Sequence, residues 1–279
     1  PGDPNPPLLF KTLAGATPPR YYYSIFSGAL PDLNLRDPRV PAYFFDVAAQ
    51  WLQRGADGFR LDAARYLLES PDPLSAPQRP TVADTAETHA FLRELRAAVE
   101  KVRPGATLIG EVWTDTPAIA AYHGGGRELT GAFAFPLAGA ILDGVKRGVA
   151  TPVQDALQAQ LRGGVPPSFF VPFLSNHDQT RSATVLDNDP AKLRIAAALY
   201  LGLPGTPFVY YGEEVGLGQS QASGDQAKRA PMPWPEATRQ QSDPASLWRH
   251  YQRLLAARRS TPALRDERLQ MVNLTGGNE

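Results

Sequence analysis

Residues 58–66 of this chain read GFRLDAARY and run from an apolar segment directly into a carboxylate. Segment 56–61 predicts a short buried strand, and Asp62 falls where that strand ends in a loop. Arg60 precedes Asp62 by two residues, so in an extended chain both side chains point to the same face and can share hydrogen bonds. An arginine can hold a catalytic nucleophile ionised in this way, but a structural ion pair would look the same. These residues alone leave both interpretations open.

Alternating strands and helices are predicted along the rest of the chain. Residues 1–36 show no period and are expected to be irregular, and the helix that begins near Asp84 is expected to start with a capping box of Asp84 and Glu87. Helical spacing of apolar residues also predicts helices from 37, 137, 151, 191 and 247. The further predicted strands are 107–111, 131–135, 168–174 and 207–211.

This alternation predicts a parallel sheet covered by helices. In a (β/α)8 barrel the chemistry gathers at the C-terminal ends of the strands, so Asp62, Glu111 and Asp178, each close behind a predicted strand, would share one mouth. A doubly wound sheet is the alternative fold, but no G-x-G-x-x-G turn follows a strand to hold a dinucleotide. Five strands cannot close an eight-stranded barrel, so we expect roughly three N-terminal strands upstream, in a part of the same protein needed to close it.

Composition narrows the classes of partner. Of 279 residues, 28 are Lys or Arg and 28 are Asp or Glu, which removes the electrostatic argument for a nucleic-acid partner. No apolar run reaches the length of a membrane span. The absence of cysteine excludes thiol catalysis and cysteine metal sites. No signal peptide is recognisable, so localisation stays open between cytoplasmic and secreted.

Ordered motifs carry a resemblance to a known family. Residues 58–63 (GFRLDA), 108–113 (LIGEVW), 173–178 (FLSNHD) and 205–214 (GTPFVYYGEE) resemble four ordered motifs of the α-amylase superfamily, glycoside hydrolase family 13. Residues 30–34 (LPDLN) are similar to its short motif near the end of the domain inserted after barrel strand three, and 228–234 (KRAPMPW) to the Arg-x-Pro-Met-x-Trp loop of several bacterial branches.

The resemblance implies a domain organisation. Residues 1–36 would end the inserted domain, 37–262 would form the C-terminal part of the catalytic barrel, and 263–279 would begin a C-terminal β domain. The family's first motif, with an Asp and an Asn-His pair on early strands, is not found and is expected upstream.

The resemblance also implies roles for five residues. Asp62 would be the nucleophile that forms a covalent glycosyl intermediate, held by Arg60, and Glu111 would be the acid that protonates the leaving oxygen and then activates water. Asp178 would hold the distorted sugar, and His177 would bond to hydroxyls next to the cleaved link. Outside this motif, a histidine before an aspartate would more simply be a satisfied strand-end residue.

Some positions depart from the common pattern of the family. Arg65 and Tyr66 stand where many members have Lys-His and would contact the sugar on the leaving-group side. Arg181 resembles an arginine that contacts the sugar in some exo-acting branches, and an exposed helix-start residue is the alternative. Trp113 is expected either to stack on the sugar or to wall the pocket.

No organic cofactor is expected, since no phosphate loop, zinc helix or dinucleotide signature is found. Calcium is possible because many relatives bind it, but the segments that would supply its ligands are missing or partial. Residues 187–189 (DND) are acidic but lack the spacing of a calcium loop, and a solvated turn or helix cap is expected there.

The resemblance implies a retaining enzyme that hydrolyses α-1,4 links in starch-like oligo- or polysaccharides, of the α-amylase or α-glucosidase type. One alternative is a transglycosylase of the same fold, such as a trehalose-forming enzyme or a glucanotransferase. A second is a non-catalytic binding or transport subunit, but such proteins lose one or more of the three acids, and all three are present here.

Overall fold

A computed structural model describes residues 10–18, 20–69, 82–266 and 268–272. The chain divides into two compact units, one up to Glu111 and one from Val112 onward. No helix in the described ranges is both long and apolar enough to cross a membrane.

The described residues of the first unit form four short strands and two long helices. Strands β1 (Phe10–Thr12) and β2 (Tyr21–Tyr23) pair antiparallel, and β3 (Gly58–Leu61) and β4 (Thr107–Gly110) pair parallel. A 3-10 turn at Ala64–Tyr66 follows β3. The elements are β1 (Phe10–Thr12), β2 (Tyr21–Tyr23), α1 (Arg39–Gln53), β3 (Gly58–Leu61), α2 (Ala86–Val102) and β4 (Thr107–Gly110).

The register of β3 and β4 positions the first two candidate acids. Gly58 pairs with Thr107 and Leu61 with Gly110, so Asp62 and Glu111 occupy equivalent positions one residue beyond each strand. The backbone N–H of Glu111 donates to the Leu61 carbonyl at 2.9 Å, which extends the ladder to the acid itself. A Cβ on Gly58 would lie 2.1 Å from the Thr107 carbonyl oxygen, so this close pairing requires glycine.

Two expectations for the first unit are wrong. The amino-terminal segment is not wholly irregular, because Phe10 pairs with Tyr23 and Thr12 with Tyr21; tyrosine and threonine favour strands. The cap of α2 is Thr85 rather than Asp84, since the Thr85 side chain accepts from the Thr88 N–H at 3.1 Å. The sequence also predicts a Pro-rich loop from about 70 to 83, and residues 70–81 of that loop lie outside the described residues.

The second unit is mostly helical around one parallel strand pair. Strands β5 and β6 pair Ala132 with Phe170 and Phe133 with Val171. Its elements are α3 (Thr116–Ala121), β5 (Gly131–Phe133), α4 (Phe135–Arg147), α5 (Thr151–Arg162), β6 (Phe170–Val171), α6 (Ser182–Val185), α7 (Pro190–Gly202), α8 (Asp225–Lys228), α9 (Trp234–Ser242) and α10 (Leu247–Ser260).

The strand predicted at 207–211 does not form, and the strand predicted at 168–174 shortens to two residues. The Phe208 N–H donates to the Pro172 carbonyl at 2.9 Å. Pro172 has no N–H to donate in return, so it interrupts a ladder that the apolar sequence would otherwise support.

Buried aromatic and aliphatic side chains hold the second unit together. The ring centroid of Phe173 lies 5.4 Å from that of Phe133 and 5.1 Å from that of Phe135, and both ring pairs pack edge to face. Arg258 on α10 is buried and donates to the carbonyls of Leu201 and Leu203 at 2.9 and 2.6 Å. This side chain therefore satisfies carbonyls that α7 leaves unpaired at its end.

Candidate active site

Arg60 joins the two carboxylates of the first unit. Its Nη1 lies 2.5 Å from Asp62 Oδ1 and its Nη2 lies 2.9 Å from Glu111 Oε2. The Asp62 side chain is 74% exposed, whereas that of Glu111 is only 10% exposed. One guanidinium thus holds an open carboxylate beside an enclosed one, and both interactions are charge-assisted.

The backbone after Asp62 turns toward Glu111. Ala63 adopts φ 44° and ψ 41°, a left-handed conformation that is uncommon for a residue with a Cβ. In this conformation its N–H donates to Glu111 Oε2 at 3.0 Å, and the Ala64 N–H donates to the Glu111 carbonyl at 3.0 Å. The turn therefore contributes a second donor to the same carboxylate oxygen that Arg60 contacts.

Arg65 and Tyr66 have protein partners in the same unit. The Arg65 Nε and Nη2 atoms bind the Asp84 carboxylate at 2.9 and 2.5 Å, a bidentate pair. Tyr66 packs edge to face on Phe26, with ring centroids 5.5 Å apart. A sugar contact for either residue stays a prediction.

The second unit carries His177 and Asp178 in the turn beyond β6. His177 Nε2 lies 3.2 Å from Asp178 Oδ2, and Arg229 Nη2 lies 2.9 Å from Asp178 Oδ1. Lys228 Nζ donates to the Asp178 carbonyl at 2.9 Å, and Arg229 Nε donates to the His177 carbonyl at 3.2 Å. Asp178 therefore lies among three basic side chains.

Arg181 is fully buried, so the alternative of an exposed helix-start residue is wrong, while a sugar contact for Arg181 stays a prediction. Its Nε and Nη1 donate to the carbonyls of Lys228 and Tyr211, both at 2.8 Å. Its guanidinium carbon lies 4.4 Å from the ring centre of Tyr210 and 4.5 Å from that of Tyr211. Backbone carbonyls and aromatic faces enclose the guanidinium.

Trp113 stacks on Phe135 with 4.7 Å between ring centroids and 9° between planes. Its side chain is 44% exposed. A partly exposed aromatic ring that stacks on another ring fits either predicted role, a stacking platform or a pocket wall.

Sequence reasoning missed Arg229 and Glu213 as parts of the candidate site. Glu213 lies in the motif at 205–214 and Arg229 in the motif at 228–234, but neither motif indicates which of its side chains contacts residues 175–182. The signals available were a buried-strand context for Glu213, which requires a partner for its carboxylate, and the basic pair at 228–229.

Residues 187–189 lie at the start of helix α7. Asp189 caps α7 by accepting from the Ala191 and Lys192 N–H groups at 2.8 and 3.3 Å, and Asp187 pairs with Lys146 at 3.3 Å. The expectation of a turn or helix cap is confirmed. Within the described ranges, no group of three or more His, Asp or Glu side chains is arranged to hold a metal ion.

Comparison with known proteins identifies the family. Residues 15–267 match the family described as the α-amylase catalytic domain. The chain belongs to the α-amylase family, glycoside hydrolase family 13. The (β/α)8 fold predicted from the strand order is confirmed, and this chain forms part of such a barrel.

Relatives of this α-amylase family chain include more than one kind of enzyme. It is 30% identical to α-amylase 3 of Dictyoglomus thermophilum over 91% of the chain and 52% of that protein. It is 33% identical to the trehalose synthase/amylase of Mycolicibacterium smegmatis over 77% of the chain and 41% of that protein. The crystal structure of an α-amylase from H. orenii matches with a TM-score of 0.75 and 27% identity over 95% of the chain and 57% of the other. The chain spans about half the length of these relatives.

Proposed function

We propose that this chain carries the catalytic groups of a retaining enzyme that hydrolyses α-1,4-glucosidic bonds in starch-like oligo- or polysaccharides. The observation that carries this proposal is the contact of Arg60 with both Asp62 and Glu111. Retaining glycosidases need a nucleophile and an acid whose carboxyl groups lie roughly 5–5.5 Å apart, and a shared guanidinium keeps two carboxyl groups close.

The reaction would proceed in two displacements. In the first, an Asp62 carboxylate oxygen bonds to the anomeric carbon while the glycosidic C–O bond breaks and Glu111 gives its proton to the leaving oxygen. In the second, water attacks the anomeric carbon, Glu111 takes a proton from that water, and the bond to Asp62 breaks. The greater exposure of Asp62 supports its role as the attacking group, because its carboxylate is open to a substrate.

Asp178 and His177 would bind sugar hydroxyls. Their support is the sequence motif and their partial exposure, with side chains 37% and 39% accessible. Arg229, which touches the Asp178 carboxylate, would hold that carboxylate in its orientation. Arg65, Tyr66 and Trp113 remain proposed contacts for neighbouring sugar units.

A second candidate is transglycosylation, in which another sugar replaces water as acceptor. Its support is the similarity to a trehalose synthase/amylase, which is 33% identical over 77% of this chain. The same first displacement serves both reactions, and exclusion of water from the second decides between them.

Product analysis with maltotriose tests the proposal on the full-length protein. Hydrolysis predicts glucose and maltose as the accumulating products. Trehalose-type disaccharides or chains longer than maltotriose would replace the hydrolase proposal with the transglycosylase one. No product from maltotriose or longer maltooligosaccharides would reject both.

Trapping the intermediate tests the residue assignment separately. A 5-fluoro glucosyl fluoride slows the second displacement, so the first glycosyl ester should accumulate. Mass spectrometry of the digested protein should find the sugar on the peptide that contains Asp62 and should find none after Asp62→Asn. A label on a different carboxylate would reject the assignment of the nucleophile.

A further inference from the structure

The most enclosed carboxylate among the recognised motifs is Glu213, which the proposed reaction does not use. It is 2% exposed, and its Oε1 accepts from Ser175 Oγ at 2.6 Å and from Ser182 Oγ at 3.1 Å. Both serines are buried as well, and the Ser182 N–H donates to Ser175 Oγ at 3.3 Å. One carboxylate oxygen therefore binds two serines that are seven positions apart.

The segment between these serines contains Asp178. It leaves the strand pair after Val171 and reaches helix α6 at Ser182. Inside it, the Asp178 N–H donates to Asn176 Oδ1 at 2.9 Å. Its two ends are therefore fixed by Glu213, and the position of Asp178 depends on those ends.

Arg181 lies in the same buried region, and its positive charge attracts the carboxylate of Glu213. Burial raises the pKa of Glu213 to about 7, while the hydrogen bonds from the two serines and the positive charge of Arg181 oppose that rise. Glu213 Oε2 and Arg181 Nη2 have no hydrogen-bond partner within the described ranges. Burying a carboxylate that has one oxygen without a hydrogen-bond partner costs folding free energy, and this cost points to a role for Glu213 beyond packing.

We propose that Glu213 is a positioning residue, which holds Asp178 in place for the reaction by fastening Ser175 and Ser182. Glu213 does not contact the sugar in this proposal. The inference rests on the proposed function, because it assigns to Asp178 a part in that reaction. A displacement of a binding group by about 1 Å can lower a rate by roughly 10²-fold.

Glu213→Met tests the role, because methionine has a similar length but cannot accept the two serine hydrogen bonds. In the full-length protein, kcat/KM for maltotriose per folded molecule should fall about 10- to 100-fold. Glu213→Gln keeps an oxygen acceptor and should restore kcat/KM to within about threefold of the wild type. Glu214→Met, at the adjacent and less buried position, is the matched control and should leave kcat/KM unchanged.

A lower melting temperature for Glu213→Met with unchanged kcat/KM would overturn the proposal and leave Glu213 as a stability residue only. If Glu213→Met does not fold, the double variant Ser175→Ala, Ser182→Ala removes the same two bonds and should show the same loss. Unchanged kcat/KM in that double variant would also overturn it.

Hydrogen exchange separates failure of this inference from failure of the proposed function. Backbone amides of residues 175–182 should exchange faster in Glu213→Met than in wild type or Glu214→Met. If Glu213→Met does not fold, the serine double variant takes its place in this comparison. If wild type does not act on maltooligosaccharides, the proposed function fails, and faster exchange still supports the fastening of this segment. Unchanged exchange of residues 175–182 overturns the inference whatever the activity.

Discussion

The two units hold their candidate carboxylates in different ways. In the first, Asp62 and Glu111 each follow a strand by one residue, and the paired register of β3 and β4 places them side by side. In the second, Asp178 lies seven residues beyond Val171, the last residue of β6. Its position depends on side chains, chiefly Arg229 and the serine contacts of Glu213.

This difference shows two routes to the same precision. A strand ladder fixes the backbone with repeated hydrogen bonds, so the backbone at its end needs little further support. A turn lacks that ladder and must be fixed by buried polar groups, each of which costs free energy if a partner is lost. We therefore expect loss of an acid to have the largest effect in either unit, and loss of a neighbouring side chain to have an effect that depends on how many carboxylate contacts it removes.

The largest effect should come from the proposed acid. Glu111→Gln removes the proton but keeps the shape of the side chain, so kcat/KM for maltotriose should fall by roughly 10²- to 10⁴-fold. α-Glucosyl fluoride needs no protonation of its leaving group, so the loss with that substrate should be much smaller. Steady-state kinetics with both substrates measures the difference.

Glu94→Gln is the control for Glu111→Gln, since Glu94 is an exposed residue of α2 and should behave as wild type. An equal loss of activity with maltotriose and with the fluoride would mean that Glu111 acts in some other way than as a proton donor.

The second prediction concerns pH and stability in the second unit. The pKa of Glu213 is raised from 4.5 to about 7, so the folded protein binds more protons than the unfolded chain between those values. Stability should therefore fall as pH rises from about 4.5 to 7 and level off above, by a total on the order of 3 kcal/mol. Glu213→Gln should lose this dependence. The melting temperature of wild type relative to that of Glu213→Gln should therefore fall as pH rises across that range.

The two tyrosines near Glu213 do not titrate in this range, because burial together with Glu213 raises the pKa of Tyr251 and of Tyr200 further above their usual value. A difference between wild type and Glu213→Gln that stays constant from pH 4.5 to 7 would show that Glu213 does not titrate there.

The third prediction compares two arginines that touch candidate carboxylates. Arg60→Lys cannot span Asp62 and Glu111 with one ammonium, so kcat/KM should fall roughly 10- to 100-fold. Arg229→Lys also loses a carboxylate contact, but Lys228 still donates to the Asp178 carbonyl, and the loss should be about tenfold or less. Steady-state kinetics with maltotriose measures kcat/KM for both variants. A larger loss of kcat/KM in Arg229→Lys than in Arg60→Lys would contradict this prediction.

Sequence predicted best where local pattern and structure coincide. The strands that precede Asp62 and Glu111, the long helices α1, α2 and α10, and the barrel class all follow from periodicity, breakers and ordered motifs. The pairing of Arg60 with Asp62 follows from their spacing of two in an extended segment.

Long-range partners could not be predicted in the same way. The burial of Arg181, the two-serine contact of Glu213 and the pairing of Arg65 with Asp84 join segments that the chain brings together only on folding. The missing strand at 207–211 has a similar cause, because the effect of Pro172 appears only once its neighbour is known.

The smallest predicted effect lies in the turn after Asp62. Ala63 has φ 44°, and a left-handed conformation costs an L-residue about 1–2 kcal/mol. Ala63→Gly should therefore raise stability by up to about 1 kcal/mol, whereas Ala63→Val should lower it, because a β-branched residue tolerates positive φ poorly. The opposite sign is expected at Ala97, an exposed position inside α2, where Ala97→Gly should cost roughly 1 kcal/mol. Denaturant unfolding of the three variants measures these shifts, and a loss of stability in Ala63→Gly would mean that the conformational entropy glycine adds to the unfolded chain outweighs the relief of strain at this turn.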